Sequence, residues 1–327
     1  MITRIVNAKD GLDEAVSLIK NGELVVFPTE TVYGLGANAF DPVAVAKIFE
    51  AKGRPQDNPL IVHISRVEEV KGIARDVPEV FYTLAERFMP GALTVVLPKS
   101  DLIPGIVTAG GDTVAVRMPD HPVARELISR SFPLAAPSAN RSKHVSPTTA
   151  RHVYDDLDGR VPLILDGGEC GVGIESTVLD LTSGSPVILR PGAVTAEMLA
   201  PFLGVIPGSG KVIGTAKSPG MKYEHYAPTA EAYAAVSARS AAEFYDRCAA
   251  EGRHPVLLFR DIYPDVLGDR ECISLGKSVE DFMHTVYSAL RAAEKSYDVI
   301  VVETLEGEGR AASVMNRVMK AVGGKTV

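Results

Sequence analysis

The sequence has little cysteine and no long apolar run, and both absences exclude classes of protein. Its three cysteines, Cys170, Cys248 and Cys272, are widely spaced and form no C-x-x-C pair. This spacing argues against a zinc site and against a disulfide framework. No apolar run reaches membrane-spanning length, and charged residues interrupt the N-terminal region where a secretory signal needs an apolar core. We therefore expect a soluble protein of the reducing cytoplasm, with no membrane partner.

An excess of positive charge is also missing. The chain has 34 basic and 41 acidic residues, a formal net charge of −7. A nucleic-acid binder that relies on bulk positive charge is therefore excluded, and any phosphate ligand must be held locally. At 327 residues and 46% hydrophobic content, the chain is long enough for two well-packed domains.

Several familiar catalytic motifs are absent as well. The glycine-rich stretch 167–173 lacks a Gly-Lys-Ser/Thr ending, and a strand-like segment follows Ser176 where a Walker loop needs a helix. We therefore exclude a Walker-type mechanism: the glycines resemble a phosphate loop only weakly, and a bulged turn is the alternative. There is no Ser/His/Asp or Cys/His nucleophile set, no G-x-G-x-x-G and no internal repeat.

A basic loop stands between two ordered elements at residues 48–63. Gly53 allows a sharp turn, and Pro55 and Pro59 favour extended geometry in the residues before them. The loop thus presents Lys52, a compact point charge, and Arg54, a planar fork, which together suit polyphosphate oxygens. A solvated basic turn at a helix end is the alternative.

Polar side chains also gather where predicted strands end, the place where open α/β sheets bind ligands. Residues 28–36 follow the strand 24–27 with hydroxyls, a carboxylate and an aromatic ring, although Thr29, Glu30 and Thr31 are also suited to turns and caps. Arg117 and Arg190 each end a strand, and each needs an anionic partner, which is either a structural carboxylate or a substrate.

The remaining candidate residues have structural alternatives. His63 lies one residue beyond an apolar run, as a core histidine would. Ser138 and Asn140 occupy a small-residue loop that suits a ligand or a simple Asx or Ser turn, and Ser176 is otherwise a strand-edge hydroxyl. Ser146 before Pro147 predicts the cap of a helix whose N–H groups face an anion.

Segment 208–228 is rich in glycine and proline, as linkers between domains are. It also contains Lys222, Tyr223, His225 and Tyr226, which have no packing reason to occur in a spacer. We predict that it folds over the ligand-filled cleft as a lid that excludes water, the alternative being a passive tether. Alternating strands and helices over 229–327 predict a smaller α/β domain that anchors the linker.

Four motifs in order resemble the threonylcarbamoyl-AMP synthases of the YrdC-like superfamily in their long two-domain form. They are P-T-E-T-V-Y-G-L from Pro28, K-G-R with N-P from Lys52, P-S-A-N from Pro137, and S-P-G-M-K-Y with H-Y from Ser218. The resemblance covers nearly the whole chain. It implies a YrdC-like catalytic domain over 1–207 with a twisted mixed sheet flanked by helices, the linker 208–228, and a smaller Rossmann-like α/β domain over 229–327.

The resemblance also implies a chemistry, in which L-threonine, bicarbonate and ATP give threonylcarbamoyl-AMP and pyrophosphate. The product passes to a downstream tRNA threonylcarbamoyltransferase complex, with no need for direct tRNA binding. Magnesium arrives with ATP, and no metal site formed by the protein itself is expected. Lys52 and Arg54 are the expected catalytic residues.

The resemblance assigns the other residues to two ligands. The threonine site comprises Thr31, His63, Arg117 and Ser176, with Arg117 on the carboxylate. The ATP site comprises Arg54, Asn58, Thr113, Ser138, Asn140, Ser146, Arg190 and Tyr226.

Two other functions are alternatives to this one. An RNA-binding or ribosome-associated YrdC-like protein without ATP chemistry is disfavoured by the net acidity and by the lack of aromatic-basic repeats. A carbamoyltransferase of the hydrogenase-maturation type is disfavoured because its paired C-x-x-C zinc motifs are missing.

Overall fold

The computed structural model describes residues 1–210 and 226–327. The described residues form two compact units. The first contains Met1–Ser142, Pro147–Gly171 and residues 175–210, and the second contains Lys143–Ser146, Val172–Ile174 and residues 226–327. Among the described residues, no helix is both long and apolar enough to cross a membrane.

The first unit is built on a mixed sheet of eleven strands in the described part of the chain. The strands are β1 (Arg4–Asn7), β2 (Val25–Phe27), β3 (Gly34–Asn38), β4 (Ile61–His63), β5 (Leu93–Pro98), β6 (Thr113–Arg117), β7 (Leu134–Ala136), β8 (Leu163–Asp166), β9 (Thr177–Asp180), β10 (Val187–Arg190) and β11 (Gly208–Ser209). Their order across the sheet is β1-β8-β2-β3-β7-β4-β6-β5-β9-β10-β11. The strand β11 pairs with β10 and lies at the start of the segment predicted as the linker.

Helices cover both faces of this sheet. They are α1 (Ala8–Lys20), α2 (Pro42–Lys52), α3 (Val70–Ile73), α4 (Glu79–Phe88), α5 (Pro122–Arg130), α6 (Ala150–Leu157) and α7 (Ala196–Leu203). Alternation along β2 feeds two cores, because Val26 packs into one and Val25 and Phe27 pack into the other. A mixed sheet flanked by helices confirms the predicted fold class.

The helix α2 matters most for the site, and local sequence explains its two ends. The Asp41 side chain accepts hydrogen bonds from the N–H groups of Val43 and Ala44, with Pro42 in the first helical position. Gly53 ends the helix in the left-handed region at φ 59°. Lys52 and the basic loop are thereby set at the helix C-terminus.

One predicted cap is wrong. Helix α6 begins at Ala150, and the Thr149 side chain, not that of Ser146, accepts the hydrogen bond from the His152 N–H. A threonine directly before the helical residues competes successfully for the cap, and Ser146 and Pro147 lie upstream of the helix.

The second unit is a four-stranded parallel sheet with helices. Its elements are β12 (Glu231–Ala235), α8 (Ala238–Ala250), β13 (Pro255–Phe259), α9 (Pro264–Leu267), β14 (Cys272–Ser274), α10 (Val279–Ala293), β15 (Val299–Glu303) and α11 (Arg310–Ala321). The strand order is β12-β15-β13-β14, all parallel. The predicted smaller α/β domain with a Rossmann-like alternation is therefore confirmed.

Candidate functional site

A row of directly paired residues crosses the centre of the large sheet. His63 on β4 pairs with Arg117 on β6, Arg117 pairs with Thr94 on β5, and Thr94 pairs with Val178 on β9. Val178 in turn pairs with Arg190 on β10. Because directly paired residues share one face of a sheet, the row brings three of the predicted site residues, His63, Arg117 and Arg190, to the same face.

Arg117 is buried and already has an internal counter-ion. Its Nη2 donates to Glu30 Oε1 at 2.6 Å and its Nε donates to the Gly91 carbonyl at 3.3 Å. The Asp120 N–H holds the other Glu30 oxygen at 3.0 Å. The Nη1 of Arg117 makes no hydrogen bond to the described residues, so the Nη1 edge of the guanidinium can take a ligand carboxylate.

Of the two partners that the sequence left open for Arg117, the structure therefore contains a glutamate. Sequence reasoning did not single out Glu30 as part of the site. The available signal was its position between two threonines in the stretch that follows β2.

His63 is buried and neutral. Burial, and secondarily the positive charge of Arg117, lowers the pKa of His63 to about 3. The Nδ1 atom lies 3.2 Å from the Ile61 carbonyl, which can only accept, so Nδ1 carries the proton. The ring also hydrogen-bonds the backbone of Leu134, the residue that pairs with His63 on β7.

The Thr31 hydroxyl lies beside the hydroxyl of Thr29. The Thr29 hydroxyl donates to the Val32 carbonyl at 2.6 Å and lies 2.9 Å from the Thr31 hydroxyl. Either hydroxyl can be the donor between Thr29 and Thr31, so Thr31 can offer a ligand its proton or a lone pair. Thr29 also accepts from the backbone N–H groups of Thr31 and Val32, so the alternative reading of Thr29 as a turn residue is correct.

Ser176 and Arg190 form a second buried cluster beside the row. Arg190 Nε donates to the Ser176 carbonyl at 3.0 Å, and its Nη2 donates to Ser176 Oγ at 3.1 Å. The hydroxyls of Ser176 and Thr94 lie 2.7 Å apart. Thr94 is fully buried and was missed by sequence reasoning, because it lies inside an ordinary apolar strand.

Lys52 fastens the end of α2 to the loop after β7. Its Nζ donates to the carbonyls of Ser138 at 2.6 Å and Asn140 at 2.5 Å, and its own carbonyl accepts from the Ser142 N–H. At 3% exposure, Lys52 is no solvated surface charge. The structure thus brings Lys52, Ser138 and Asn140 together.

Arg54 folds back over its own loop. Its Nη2 donates to the carbonyls of Asn58 and Pro59, each at 3.1 Å. The Asn58 side chain is buried, and its Oδ1 has no hydrogen-bond partner among the described residues. Such an acceptor costs about 1–3 kcal/mol when unsatisfied, and a donor or cation on a ligand would satisfy it.

Four other predicted residues are less closely connected to the row. Thr113 begins the strand that Arg117 ends, four residues and roughly 13 Å away along the strand. Asn140 Nδ2 donates to the Arg141 carbonyl at 2.9 Å. Ser146 and Tyr226 belong to the second unit, where both are buried and Tyr226 stacks on Tyr287 with ring centroids 5.4 Å apart. Lys222, Tyr223 and His225 lie outside the described residues.

Neither a metal cluster nor an activated thiol accompanies this site in residues 1–210 and 226–327. No group of three or more His, Cys, Asp or Glu side chains there is arranged to hold a metal ion. Cys170 is buried close to Glu30 and Arg117, and burial raises the pKa of its thiol to about 12. The thiol is therefore protonated at neutral pH and is a poor nucleophile.

The fold and the site together define a class: an α/β protein whose large mixed sheet carries buried arginines and a neutral histidine on one face, an arrangement suited to anionic polar ligands. Two family models match the chain, one described as "Telomere recombination" over residues 17–192 and one described as "Threonylcarbamoyl-AMP synthase, C-terminal domain" over residues 194–323.

Curated relatives agree over the full length. The threonylcarbamoyl-AMP synthase of Pyrococcus abyssi is 46% identical, covering 98% of this chain and 98% of the relative. The threonylcarbamoyl-AMP synthase of Bacillus subtilis is 45% identical, covering 96% of this chain and 93% of the relative. The crystal structure of Pyrococcus abyssi Sua5 complexed with L-threonine matches with a TM-score of 0.92 and 44% identity, covering 100% of this chain and 98% of that one. The chain belongs to the threonylcarbamoyl-AMP synthase family, which confirms the resemblance seen in its motifs.

Proposed function

We propose that this chain makes threonylcarbamoyl-AMP and pyrophosphate from L-threonine, bicarbonate and ATP, as a nucleotidyltransferase that supplies the threonylcarbamoyladenosine modification of tRNA. The observation that carries the proposal is the buried row of His63 and Arg117 in a family of synthases. The row offers a guanidinium edge for a carboxylate and a neutral imidazole beside it.

In this proposal threonine binds with its carboxylate on Arg117 and its amine and hydroxyl towards Thr31 and His63. Both side chains are uncharged and can hydrogen-bond an amine or a hydroxyl. Because His63 is neutral above pH 5, it does not repel the substrate ammonium group. Ser176 is the fourth residue that we propose binds the threonine substrate.

ATP is assigned to Arg54, Asn58, Thr113, Ser138, Asn140, Ser146, Arg190 and Tyr226. Lys52 and Arg54 are proposed to act at the phosphates or the carbamate, and the buried acceptor of Asn58 supports a ligand that donates a hydrogen bond or brings a cation. Magnesium would enter with the ATP phosphates, as it does in most enzymes that use ATP.

The chemistry then needs positioning and charge stabilisation more than a protein nucleophile. The neutral amine of threonine adds to the carbon of bicarbonate, a C–O bond breaks and water leaves with the amine proton, which gives a carbamate. With carbon dioxide, the addition opens one C=O bond and the amine proton is released to solvent. A carbamate oxygen forms a bond to the α-phosphorus of ATP while the bond to the bridging oxygen breaks, and pyrophosphate leaves with that electron pair. We further propose that the reaction takes place in the cytoplasm and that the acyl-adenylate is handed to a tRNA threonylcarbamoyltransferase complex.

The decisive experiment offers the purified chain ATP, magnesium, bicarbonate and each amino acid in turn, followed by mass spectrometry of the products. The threonyl acyl-adenylate should dominate and should incorporate label from bicarbonate. Salt-dependent RNA binding without any acyl-adenylate would contradict the proposal. Adenylation without bicarbonate would point to a plain amino-acid-activating enzyme.

A further inference from the structure

Thr94 is a buried hydroxyl in the middle of the site row that none of the assigned roles uses. It lies on β5 between Arg117 and Val178 and is fully shielded from solvent. Among the described residues its hydroxyl contacts one polar side-chain group, the Ser176 Oγ at 2.7 Å.

Counting protons fixes the direction of this hydrogen bond. A hydroxyl has one proton to give and two lone pairs to receive, and a buried hydroxyl proton without an acceptor costs free energy. The Thr94 proton therefore goes to Ser176 Oγ. Arg190 Nη2, 3.1 Å from the same oxygen, has only protons to give. Two donors thus fill both lone pairs of Ser176, and its own proton is left for a ligand.

We propose that Thr94 is a positioning residue that, acting through Ser176, makes Ser176 a hydrogen-bond donor to the carboxylate of bound threonine. This inference rests on the proposed function. Arg117 is the direct sheet neighbour of Thr94, so the Ser176 donor and the guanidinium act on the same anionic group.

The test replaces the Thr94 hydroxyl with a methyl group in Thr94→Val, in the full-length chain. Calorimetry measures the Kd for L-threonine, and steady-state kinetics measure kcat and the KM values for threonine and ATP. We expect the threonine Kd and KM to rise about tenfold, a typical effect of losing one hydrogen bond. The ATP KM and kcat should stay within about threefold, and Thr94→Ser should restore threonine binding because it keeps the hydroxyl.

Thr177→Val is the matched control. Thr177 is equally buried, and its hydroxyl donates to the Val194 carbonyl at 2.6 Å, so the same chemical change removes a hydrogen bond to the backbone and none to a site residue. Threonine binding by this control should match the wild type even if its thermal stability falls. If Thr94→Val is insoluble, Thr94→Ala removes the same hydroxyl and is expected to behave in the same way.

Ser176→Ala closes a double-mutant cycle. If Thr94 acts through Ser176, Thr94→Val in the Ser176→Ala background should weaken threonine binding no further. Independent, multiplying effects would overturn the inference, as would a Thr94→Val variant that binds threonine as well as Thr177→Val does. If the wild-type chain neither binds threonine nor forms the acyl-adenylate, the proposed function fails together with the inference. An active wild type with an unaffected Thr94→Val variant would overturn the inference alone.

Discussion

Individual buried charges in this protein are stabilised by specific partners. Arg117 pairs with Glu30 with side-chain exposures of 5% and 14%, and Arg190 donates two hydrogen bonds to Ser176. Burying an unpaired charge is strongly unfavourable, so each of these groups is fixed before any ligand arrives. Preorganisation of this kind lowers the cost of orienting a ligand.

Replacing Arg117 with Ala should therefore affect threonine far more than ATP. Losing a buried partner of a carboxylate costs about 2–5 kcal/mol, so we expect the threonine KM to rise about 30-fold or more. Because this change also leaves Glu30 buried without its counter-ion, Arg117→Ala/Glu30→Gln should recover stability and keep the high threonine KM. Equal increases in the KM values for threonine and ATP would mean that Arg117 is structural.

The lowered pKa of His63 predicts how the free energy of unfolding changes at acid pH. Its pKa is about 3 in the folded chain and about 6.5 when unfolded, so between these values the unfolded state binds a proton that the folded state does not. The contribution of neutral His63 to the free energy of unfolding is therefore complete above pH 6.5. As the pH falls from 6.5 towards 3, this contribution is lost by about 1.4 kcal/mol per pH unit. Urea unfolding of wild type and His63→Gln at pH 7.5, 5.5 and 4.5 should diverge below pH 6.5. Parallel curves down to pH 4.5 would contradict the assignment.

At the scale of helices, strands and loops, the local sequence pattern predicts which elements exist. Long-range strand pairing determines which of their residues come together. The limits of β13 and the start of α10 follow directly from apolar runs and a Ser278 cap. The Glu30–Arg117 pair spans 87 positions of the chain and the Thr94–Ser176 pair spans 82. No local signal encodes such contacts, because they depend on which strands become neighbours in the sheet.

The site residues also fall into two groups, those that the sequence identifies and those that depend on a partner far away in the chain. Arg117 was identifiable because it ends a strand, whereas His63 was assigned only through the family resemblance, since its position after an apolar run also suits a core histidine. Glu30 and Thr94 were not identifiable, because their importance lies in a partner from another strand or loop. The misplaced cap of α6 has a local cause, since Ser146 and Thr149 both have the side chain of a helix cap and the sequence alone does not rank them.

The end of α2 offers a test at this scale. Lys52→Met removes two charged hydrogen bonds to the loop carbonyls of Ser138 and Asn140, so we expect a loss of about 3 kcal/mol in unfolding free energy and a marked fall in activity. Lys47→Met is the control on the same helix, because the bonds of Lys47 to Glu23 and to the Gly22 carbonyl are partly exposed, and an ion pair of this kind is worth at most about 1 kcal/mol. Similar unfolding free energies for the two variants would show that Lys52 does not hold the loop.

For the whole molecule, two α/β units with different sheets share one chain, and helix α10 of the second unit holds a segment from the middle of the sequence. Arg291 on α10 donates to the Val145 carbonyl from Nε at 3.1 Å and from Nη2 at 2.5 Å. Residues 143–146 therefore belong structurally to the second unit although the chain reaches them well before residue 229. Sequence order alone divides this protein less accurately than its contacts do.

The absence of a nucleophile set in the described residues leads to a prediction about the complete reaction. The Cys170 thiol is protonated, His63 is neutral with its Nδ1 proton on the Ile61 carbonyl, and Ser176 receives hydrogen bonds with no base beside it. None of these side chains can readily form an acyl- or adenylyl-enzyme, so the carbamate itself must attack ATP. Exchange of labelled pyrophosphate into ATP should therefore require threonine and bicarbonate together. The denatured protein should retain no label from ATP or bicarbonate, and Cys170→Ser should exchange at nearly the wild-type rate. Exchange with ATP alone, or label bound covalently to the denatured chain, would show that a protein nucleophile takes part.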